Sequence, residues 1–398
     1  SLVGIELPNN TKTTVGLGTL LSDEKYRKSL KSLLIALGKD ISGNAHFADL
    51  GKMPHLLIAG ATGSGKSVTI HTIVNALLFR NPPENMRFVM IDPKRVELTL
   101  YNGIPHLLTP VITDAKKAIL ALKWAAKEME RRYNILEGES VRDIESYHKN
   151  VVEPAMKKTN PSSRAKLATG QATDNEIEGV SGDYPEKMPY IVIIIDELAD
   201  IMSSYPRELE SAIVRLAQMS RAVGIHLILS TQRPSVNIIT GLIKANIPAR
   251  IALQVTSQID SRTILDMGGA EKLLGAGDML YISGEMSKPV RIQSAYISEV
   301  EVKKVVKFLR SEYGDAVPEE ITLTATPGNN SLFESSFDDD EFEDDDELYE
   351  EAREIVIETG KASSSYLQRR LKVGYARAAR LLDMLEEKGV VGPGEGSK

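Results

Sequence analysis

The chain has 398 residues, 42% of them hydrophobic and 26% charged, and it contains no cysteine. This composition allows two or three globular domains, excludes disulfides and cysteine-ligated zinc, and suits a reducing cytosol. No apolar run approaches the about 20 residues that a membrane span needs, and no signal peptide is visible.

The net charge of −7 is unevenly distributed along the chain. Residues 338–347 carry nine acidic side chains, which is more than the whole excess of negative charge. The rest of the chain is therefore mildly basic, and the overall charge does not exclude a nucleic-acid partner. The chain also begins without methionine, inside a predicted strand at 2–7. We therefore expect a cytoplasmic fragment of a longer protein.

Residues 60–67 match the phosphate-binding pattern G-x-x-x-x-G-K-[ST]. An apolar strand is predicted before the loop at 55–59, and a helix after it from Val68 to Phe79. A chance glycine-rich turn is less favoured, because strand, loop and helix agree. The pattern predicts a nucleoside triphosphate site in which Lys66 binds the β- and γ-phosphates and Ser67 is a ligand of Mg²⁺. The predicted phosphate-binding residues are Gly60, Ala61, Thr62, Gly63, Ser64, Gly65, Lys66 and Ser67.

Strand-like runs alternate with helical patterns from about residue 50 to 310, which predicts a mostly parallel sheet with helices on both faces. One long helix is predicted at 114–136, with Asp114 as its N-cap. Residues 153–188 are polar, and we expect them to form a mobile surface loop. The predicted strands lie at 55–59, 87–92, 190–196, 226–230, 250–255 and 278–282.

Asp196 and Glu197 end a continuous β-branched run, which is typical of a central parallel strand buried on both faces. At the carboxyl end of such a strand, Asp196 would hold Mg²⁺ through water and Glu197 would act as general base. Gln232 follows the strand at 226–230 and is a candidate sensor of the γ-phosphate. We expect Asp200 on a helix surface. These features predict an α/β fold of the RecA-like P-loop ATPase class, with an added strand between the two nucleotide-binding strands.

Two arginines, Arg215 and Arg221, precede the strand that ends near Gln232. In oligomeric ATPases an arginine of the neighbouring subunit can stabilise the transition state. Arg221 is the better candidate for this role, although an ordinary salt bridge at a helix end remains an alternative for either residue. Residue chemistry alone assigns no role to Asp92 or Lys94, which end the strand at 87–92.

The C-terminal part of the chain contains an acidic linker, predicted to be disordered, and a second small domain. Helices are predicted at 348–358, 364–371 and 375–388, followed by a strand and turn, which is the pattern of a winged helix-turn-helix. A basic recognition helix favours DNA binding, and a three-helix protein-docking module is the alternative. The candidate DNA-binding residues of this domain are Arg369, Arg370, Arg377 and Arg380.

Several stretches go beyond a generic P-loop protein, and together they resemble the FtsK/SpoIIIE family of bacterial DNA translocases. The stretches in the first domain are 52–60, 91–94 with Glu97-Leu98, 101–107, 196–200, 224–227, 231–236, 239–248, 260–266 and 277–280. The tail resembles the γ domain of the family at 367–370, 374–375, 377–380 and 389–393.

The resemblance implies a homohexameric ring that uses ATP and Mg²⁺ to pump double-stranded DNA during cell division or sporulation. It implies that Arg233 and Lys244 contact the phosphate backbone in the pore, that Gln258 replaces a third basic contact, and that Arg221 is the arginine finger. The γ domain would read short oriented sequences. The full-length parent would be anchored in the cell membrane at the division septum, with recombinase or division proteins as further partners.

The implied domains are an N-terminal edge segment at 1–50, an ATPase motor at 51–312 with the insertion at about 153–188, an acidic linker at 313–347 and a winged-helix γ domain at 348–398. Two other classes of function remain alternatives. One is a related ring ATPase of a protein-secretion or conjugation apparatus, and the other is a static, ATP-gated DNA-binding protein.

Overall fold

The computed structural model describes residues 13–158 and 185–314, together with 352, 353, 355–357, 385 and 390. The chain divides into two compact units, Ser1–Thr326 and Pro327–Lys398. The predicted N-terminal strand at 2–7 and all but the first two residues of the predicted linker lie outside the described residues.

The first unit contains one nine-stranded sheet. Its strands are β1 Leu34–Lys39, β2 Ala45–Asp49, β3 His55–Ala59, β4 Met86–Ile91, β5 Tyr190–Ile195, β6 Ile225–Thr231, β7 Ala249–Leu253, β8 Asp278–Ile282 and β9 Val290–Ser294. They lie in the order β2-β1-β9-β8-β7-β3-β6-β5-β4. Neighbouring strands from β7 to β4 pair in parallel, and the remaining neighbours pair antiparallel. The predicted, mostly parallel central sheet is therefore confirmed.

All six predicted strands are present. The bounds of two match the prediction, and those of the other four differ from it by one or two residues. β3 is entirely buried, and β5 is buried beyond its first residue, as expected for strands with helices on both faces. β6 lies between β3 and β5. The predicted added strand therefore separates the strand before the phosphate-binding loop from the strand before Asp196.

Three antiparallel strands, β1, β2 and β9, were missed by the sequence analysis. β2 is mostly half-buried, so it lacks a long apolar run. The register of β1 on β2 is broken by a bulge between Ala36 and Gly38. At Gly38 φ is 154°, and a Cβ would lie 1.9 Å from the carbonyl oxygen of Gln293. This close approach of β1 to β9 requires glycine.

The helices of the first unit pack against this sheet and against one another. The helix bounds are α1 Leu17–Leu21, α2 Glu24–Arg27, α3 Lys66–Arg80, α4 Ala115–Gly138, α5 Ile144–Tyr147, α6 Glu153–Lys158, α7 Leu198–Ser204, α8 Pro206–Met219, α9 Gly241–Asn246, α10 Gln258–Leu265 and α11 Glu299–Glu312. Asp114 accepts a hydrogen bond from the backbone N–H of Lys117, which confirms the predicted N-cap of the long helix α4.

The predicted loop at 153–188 begins later than expected. A π-helical turn, His148–Val152, joins α5 to α6 and extends the helical segment to Lys158. The prediction was wrong for residues 153–158. Their polar composition resembles that of a loop, but they continue a helical segment that begins before them. Within that segment, the Tyr147 hydroxyl donates to the carbonyl oxygen of Glu186, 3.0 Å away. Residues 159–184 lie outside the described part of the chain.

In the second unit, the described residues at 352–353, 355–357 and 385 are helical. Ala352, Val356 and Leu385 are buried. These residues fall within the first and third predicted helices. Throughout 13–158 and 185–314, no helix combines the length and the apolar character that crossing a membrane requires.

Candidate nucleotide site

The phosphate-binding loop joins β3 to α3, and α3 begins at Lys66. Gly63 and Gly65 have φ values of 80° and 105°, a left-handed conformation in which glycine carries no steric cost. A helix start leaves its first N–H groups without intrahelical partners, so they are available to an anion. The Ser64 hydroxyl is buried, and no hydrogen-bond partner is found for it in the described part of the chain. These features fit the phosphates of a nucleotide.

Lys66 is buried, and its ammonium group contacts the end of β5. The Nζ atom donates to the Asp196 carboxylate at 2.8 Å and to the Asp196 carbonyl oxygen at 2.7 Å. It also lies 3.2 Å from the Ser230 hydroxyl on β6. Burial raises the pKa of Asp196, and the nearby Lys66 opposes that rise. The predicted phosphate-binding cation and the predicted metal-binding carboxylate therefore meet at one point.

Ser67 is oriented by a carboxylate that the sequence analysis did not select. Its hydroxyl donates to Glu97 at 2.6 Å, and His71 lies 3.5 Å from the other Glu97 oxygen. The hydrogen bond from His71, together with that from Ser67, lowers the pKa of Glu97 despite partial burial. Because the Ser67 proton is directed to Glu97, a lone pair of its oxygen stays available to a cation.

The oxygen donors near the loop fit Mg²⁺, which prefers oxygen ligands and commonly takes only one or two from protein. Ser67 and Asp196 are the residues that would hold it, as predicted. Among the described residues, no group of three or more histidine and acidic side chains could hold a metal ion by itself. One oxygen of the buried Asp92 carboxylate has no hydrogen-bond partner within that part of the chain.

Asp92 has a structural role that residue chemistry alone did not reveal. Its other carboxylate oxygen accepts the backbone N–H groups of Glu97 and Leu98, each at 3.0 Å. These bonds hold the segment that follows β4, and this segment carries both Lys94 and Glu97. The position of β4 beside β5 brings the segment to the nucleotide site.

Glu197 is fully buried and is held by donors from two neighbouring strands. It accepts from the Thr231 hydroxyl at 2.7 Å and from the Gln232 backbone N–H at 3.2 Å. Lys94 forms an ion pair with its other oxygen at 3.1 Å. Burial raises the pKa of Glu197, but these bonds and the charge of Lys66 bring it below its ordinary value. An ionised carboxylate in this position can accept a proton from water.

The Gln232 side chain joins the end of β6 to the phosphate-binding loop. Its amide oxygen accepts a hydrogen bond from the Thr62 hydroxyl at 3.1 Å, and its backbone contacts Glu197. The structure thus brings Lys66, Asp196 and Glu197 together with Gln232. The phosphate-binding pattern includes Thr62 but does not predict its contact with Gln232, and no pattern pointed to Thr231. Thr231 ends β6 beside the strand that leads into the loop of Thr62, and this topology is the signal that could have identified both contacts.

Arg221 lies far from the nucleotide site of its own subunit. It is exposed and precedes β6 by four residues, whereas the site lies at the other end of that strand. A strand of this length spans about 20 Å. Arg215 instead forms an ion pair with Glu130, so the salt-bridge alternative holds for Arg215.

The two predicted pore residues of the first unit differ in their surroundings. Arg233 directly follows Gln232, and its side chain is 65% exposed and 4.0 Å from Asp200. Lys244, on α9, is only 21% exposed and forms an ion pair with Asp266 at 2.7 Å. Arg250 binds the other oxygen of Asp266 at 2.6 Å. Arg369, Arg370, Arg377 and Arg380 lie outside the described residues.

Replacing Glu97 by Gln should weaken the dependence of the site on Mg²⁺. An amide accepts the Ser67 proton less strongly than a carboxylate does, and removing such an outer contact typically costs about 10- to 100-fold in metal affinity. We expect the Mg²⁺ concentration for half-maximal ATP hydrolysis to rise within that range. Glu137→Gln, on the exposed surface of α4, is the matched control. An unchanged Mg²⁺ requirement in Glu97→Gln would contradict the orienting role.

Comparison with known proteins agrees with the predicted family. A family model described as FtsK/SpoIIIE family matches residues 17–236, and one described as Ftsk gamma domain matches residues 343–398. A protein named DNA translocase FtsK from Caldanaerobacter subterraneus is 50% identical over 398 residues, which is 100% of this chain and 50% of that protein. DNA translocase SpoIIIE of Bacillus subtilis is also 50% identical, over 100% of this chain and 46% of that protein. The chain spans about half the length of these relatives.

Solved structures confirm the P-loop ATPase fold. The pCW3 conjugation coupling protein TcpA, solved with ATPγS, is similar with a TM-score of 0.56 and 28% identity, over 72% of this chain and 73% of that one. The cytoplasmic domain of the type VII secretion ATPase EccC from Thermomonospora curvata has a TM-score of 0.59 and 24% identity, over 80% of this chain and 36% of that one. With a family model covering more than half of its residues and relatives 50% identical over its full length, the chain belongs to the FtsK/SpoIIIE family.

Proposed function

We propose that this chain is the ATP-driven motor region of a double-stranded DNA translocase that acts as a homohexameric ring. One observation carries the proposal: the exposed Arg233 directly follows Gln232, whose backbone binds the buried Glu197. A cation suited to a DNA phosphate is thus adjacent in sequence to the residue whose backbone holds the proposed general base. The names of the 50%-identical relatives support the same substrate.

In the proposed hydrolysis, each chemical role falls to a side chain whose contacts suit it. Lys66 and the loop N–H groups bind the phosphates of ATP, and Glu197 accepts a proton from the attacking water. Gln232 lies between Glu197 and the phosphate-binding loop, which it contacts at Thr62, so it can contact both the water and the γ-phosphate. Mg²⁺, held by Ser67 and Asp196, would supply positive charge to the phosphate oxygens.

The proposed site is shared between subunits. An exposed arginine at the opposite end of β6 has no role in its own site, but a ring places that end against a neighbour. Arg221 would then stabilise the negative charge that develops on the neighbour's phosphates, as arginine fingers do.

DNA would be held through its backbone. Arg233 and Lys244 would contact phosphates, which gives a grip that does not depend on sequence and tolerates movement. The γ domain would supply orientation, because arginines can read guanine by paired hydrogen bonds. Its candidate residues are Arg369, Arg370, Arg377 and Arg380. By family resemblance we further propose that the full-length protein is anchored in the cell membrane at the division septum and works with recombinase or division proteins.

A ring ATPase of a conjugation or secretion apparatus is the second candidate function. The 28% identity with the conjugation coupling protein TcpA favours it. The match of residues 343–398 to the Ftsk gamma domain favours the translocase. Arg233 and Lys244, the cations proposed to contact DNA phosphates, favour it as well.

ATP hydrolysis measured with and without long duplex DNA tests the proposed function. We expect duplex to accelerate hydrolysis, and we expect Lys244→Ala to reduce that acceleration. Arg250 still neutralises Asp266 in this variant, so the loss of Lys244 leaves no unpaired carboxylate. Each lost phosphate contact should also reduce the slope of log affinity against log salt by about 0.9. Lys307→Ala, on the exposed face of α11, is the matched control. Equal rates for Lys244→Ala and wild type on duplex would contradict the assignment of Lys244.

Mixing two inactive variants tests whether the site is shared. Arg221→Ala subunits keep the phosphate-binding loop, and Lys66→Ala subunits keep the arginine. Loss of an arginine finger costs about 10³- to 10⁵-fold in rate, so each variant alone should be nearly inactive, and the mixture should regain duplex-stimulated hydrolysis. As the control, subunits carrying both changes should restore nothing when added to Arg221→Ala. If the first mixture stays as inactive as its components, Arg221 does not act on the neighbour.

A further inference from the structure

Charged side chains form a row at the carboxyl ends of three neighbouring strands. β4 is followed by Lys94, β5 by Glu197 and then Asp200 on α7, and β6 by Arg233. Adjacent strands lie about 4.8 Å apart, so these groups are within reach of one another. Two cations thus share two carboxylates along the edge of the sheet where the nucleotide site lies.

Within this row, Lys94 lies near both carboxylates, whereas Arg233 lies near Asp200. The Lys94 ammonium lies 3.1 Å from Glu197 and 3.9 Å from Asp200. The Arg233 guanidinium lies 4.0 Å from Asp200. Asp200 therefore stands between the cation of the proposed DNA contact and the cation that holds the catalytic carboxylate.

The two ends of the row differ in burial, and the two residues between them are partly exposed. Glu197 is fully buried, Asp200 and Lys94 are 26% and 35% exposed, and Arg233 is 65% exposed. Ion pairs open to solvent are weak and easily exchanged. A phosphate that meets Arg233 can thus replace Asp200 as its partner, whereas Glu197 is shielded from direct contact with DNA.

Lys94 is presented by a constrained turn. Its neighbour Arg95 has φ of 59°, a left-handed conformation that is unfavourable for a residue with a side chain. The Arg95 N–H donates to the Asp92 carbonyl oxygen at 3.2 Å, and the Asp92 carboxylate holds the segment beyond. The backbone of the turn is fixed, so the freedom of Lys94 is in its long side chain.

We propose that Lys94 is a positioning residue that restrains Glu197, and that Asp200 transmits the binding of a DNA phosphate at Arg233 to Lys94. This inference rests on the proposed function. Without a phosphate, Arg233 engages Asp200 and Lys94 pairs with Glu197. When a phosphate takes Arg233, the Asp200 carboxylate attracts Lys94, and Glu197 is released to activate water.

The test compares wild type with Lys94→Met, Lys94→Arg and Asp200→Asn, each with and without long duplex DNA. In Lys94→Met we expect a higher DNA-free rate and a stimulation ratio smaller by up to about fivefold, which is the upper end of the range for an ion pair that is open to solvent on one side. Lys94→Arg keeps the positive charge, so it should restore both the low DNA-free rate and the wild-type stimulation ratio.

Asp200→Asn isolates the transmission step. It removes a negative charge beside Arg233, so we expect duplex affinity equal to or tighter than that of wild type but a stimulation ratio several-fold smaller. If Lys94→Met lowers the rates with and without duplex equally, if Lys94→Arg fails to restore the wild-type ratio, or if Asp200→Asn keeps the wild-type ratio, the inference is overturned. If duplex fails to stimulate wild type at all, the proposed function fails as well, so the two failures are distinguishable.

Discussion

The carboxyl ends of neighbouring parallel strands meet at one edge of a sheet, and each chemical role within the first unit, apart from Arg221 and Lys244, depends on this constraint. β3 supplies the phosphate-binding loop, β5 supplies Asp196 and Glu197, and β6 supplies Gln232 and Arg233. The order β3-β6-β5 puts the end of β6 between the phosphate-binding loop and Glu197, the proposed general base. A residue that follows β6 can therefore contact both, as Gln232 does.

Electrostatics divides this edge into two zones. Around the loop, Lys66 is paired with the buried Asp196, and the Ser67 hydroxyl, a proposed Mg²⁺ ligand, donates to Glu97. Farther along the edge, Lys94 and Asp200 connect the buried Glu197 with the exposed Arg233. The segment after β4 contributes to both zones, because it carries Glu97 as well as Lys94. Asp92 holds this segment, so one buried carboxylate supports the contacts of Ser67 and of Glu197 together.

Much of the site was predictable because its signals are local. In each case a residue pattern and the residues that mark its start or end lie within a few positions of each other. Examples are the loop at 60–67, the β-branched run before Asp196 and the capped helix after Asp114. β2 and β9 escaped prediction because short strands that are only partly buried lack that contrast. β1 is buried and was missed although it carries an apolar run. The roles of Lys94 and Glu97 escaped prediction for another reason, since they depend on β4 lying beside β5. Neighbourhood in the sheet is a property of the whole chain.

In the proposed mechanism, DNA contact and hydrolysis are linked through Arg233. The most direct test is a structure of the hydrolysis-deficient Glu197→Gln protein with ATP, Mg²⁺ and duplex DNA. We expect the Arg233 guanidinium to bind a backbone phosphate and to lie farther from Asp200 than the present 4.0 Å. Duplex bound in the ring with Arg233 still paired to Asp200, and with no phosphate on Arg233, would contradict this link.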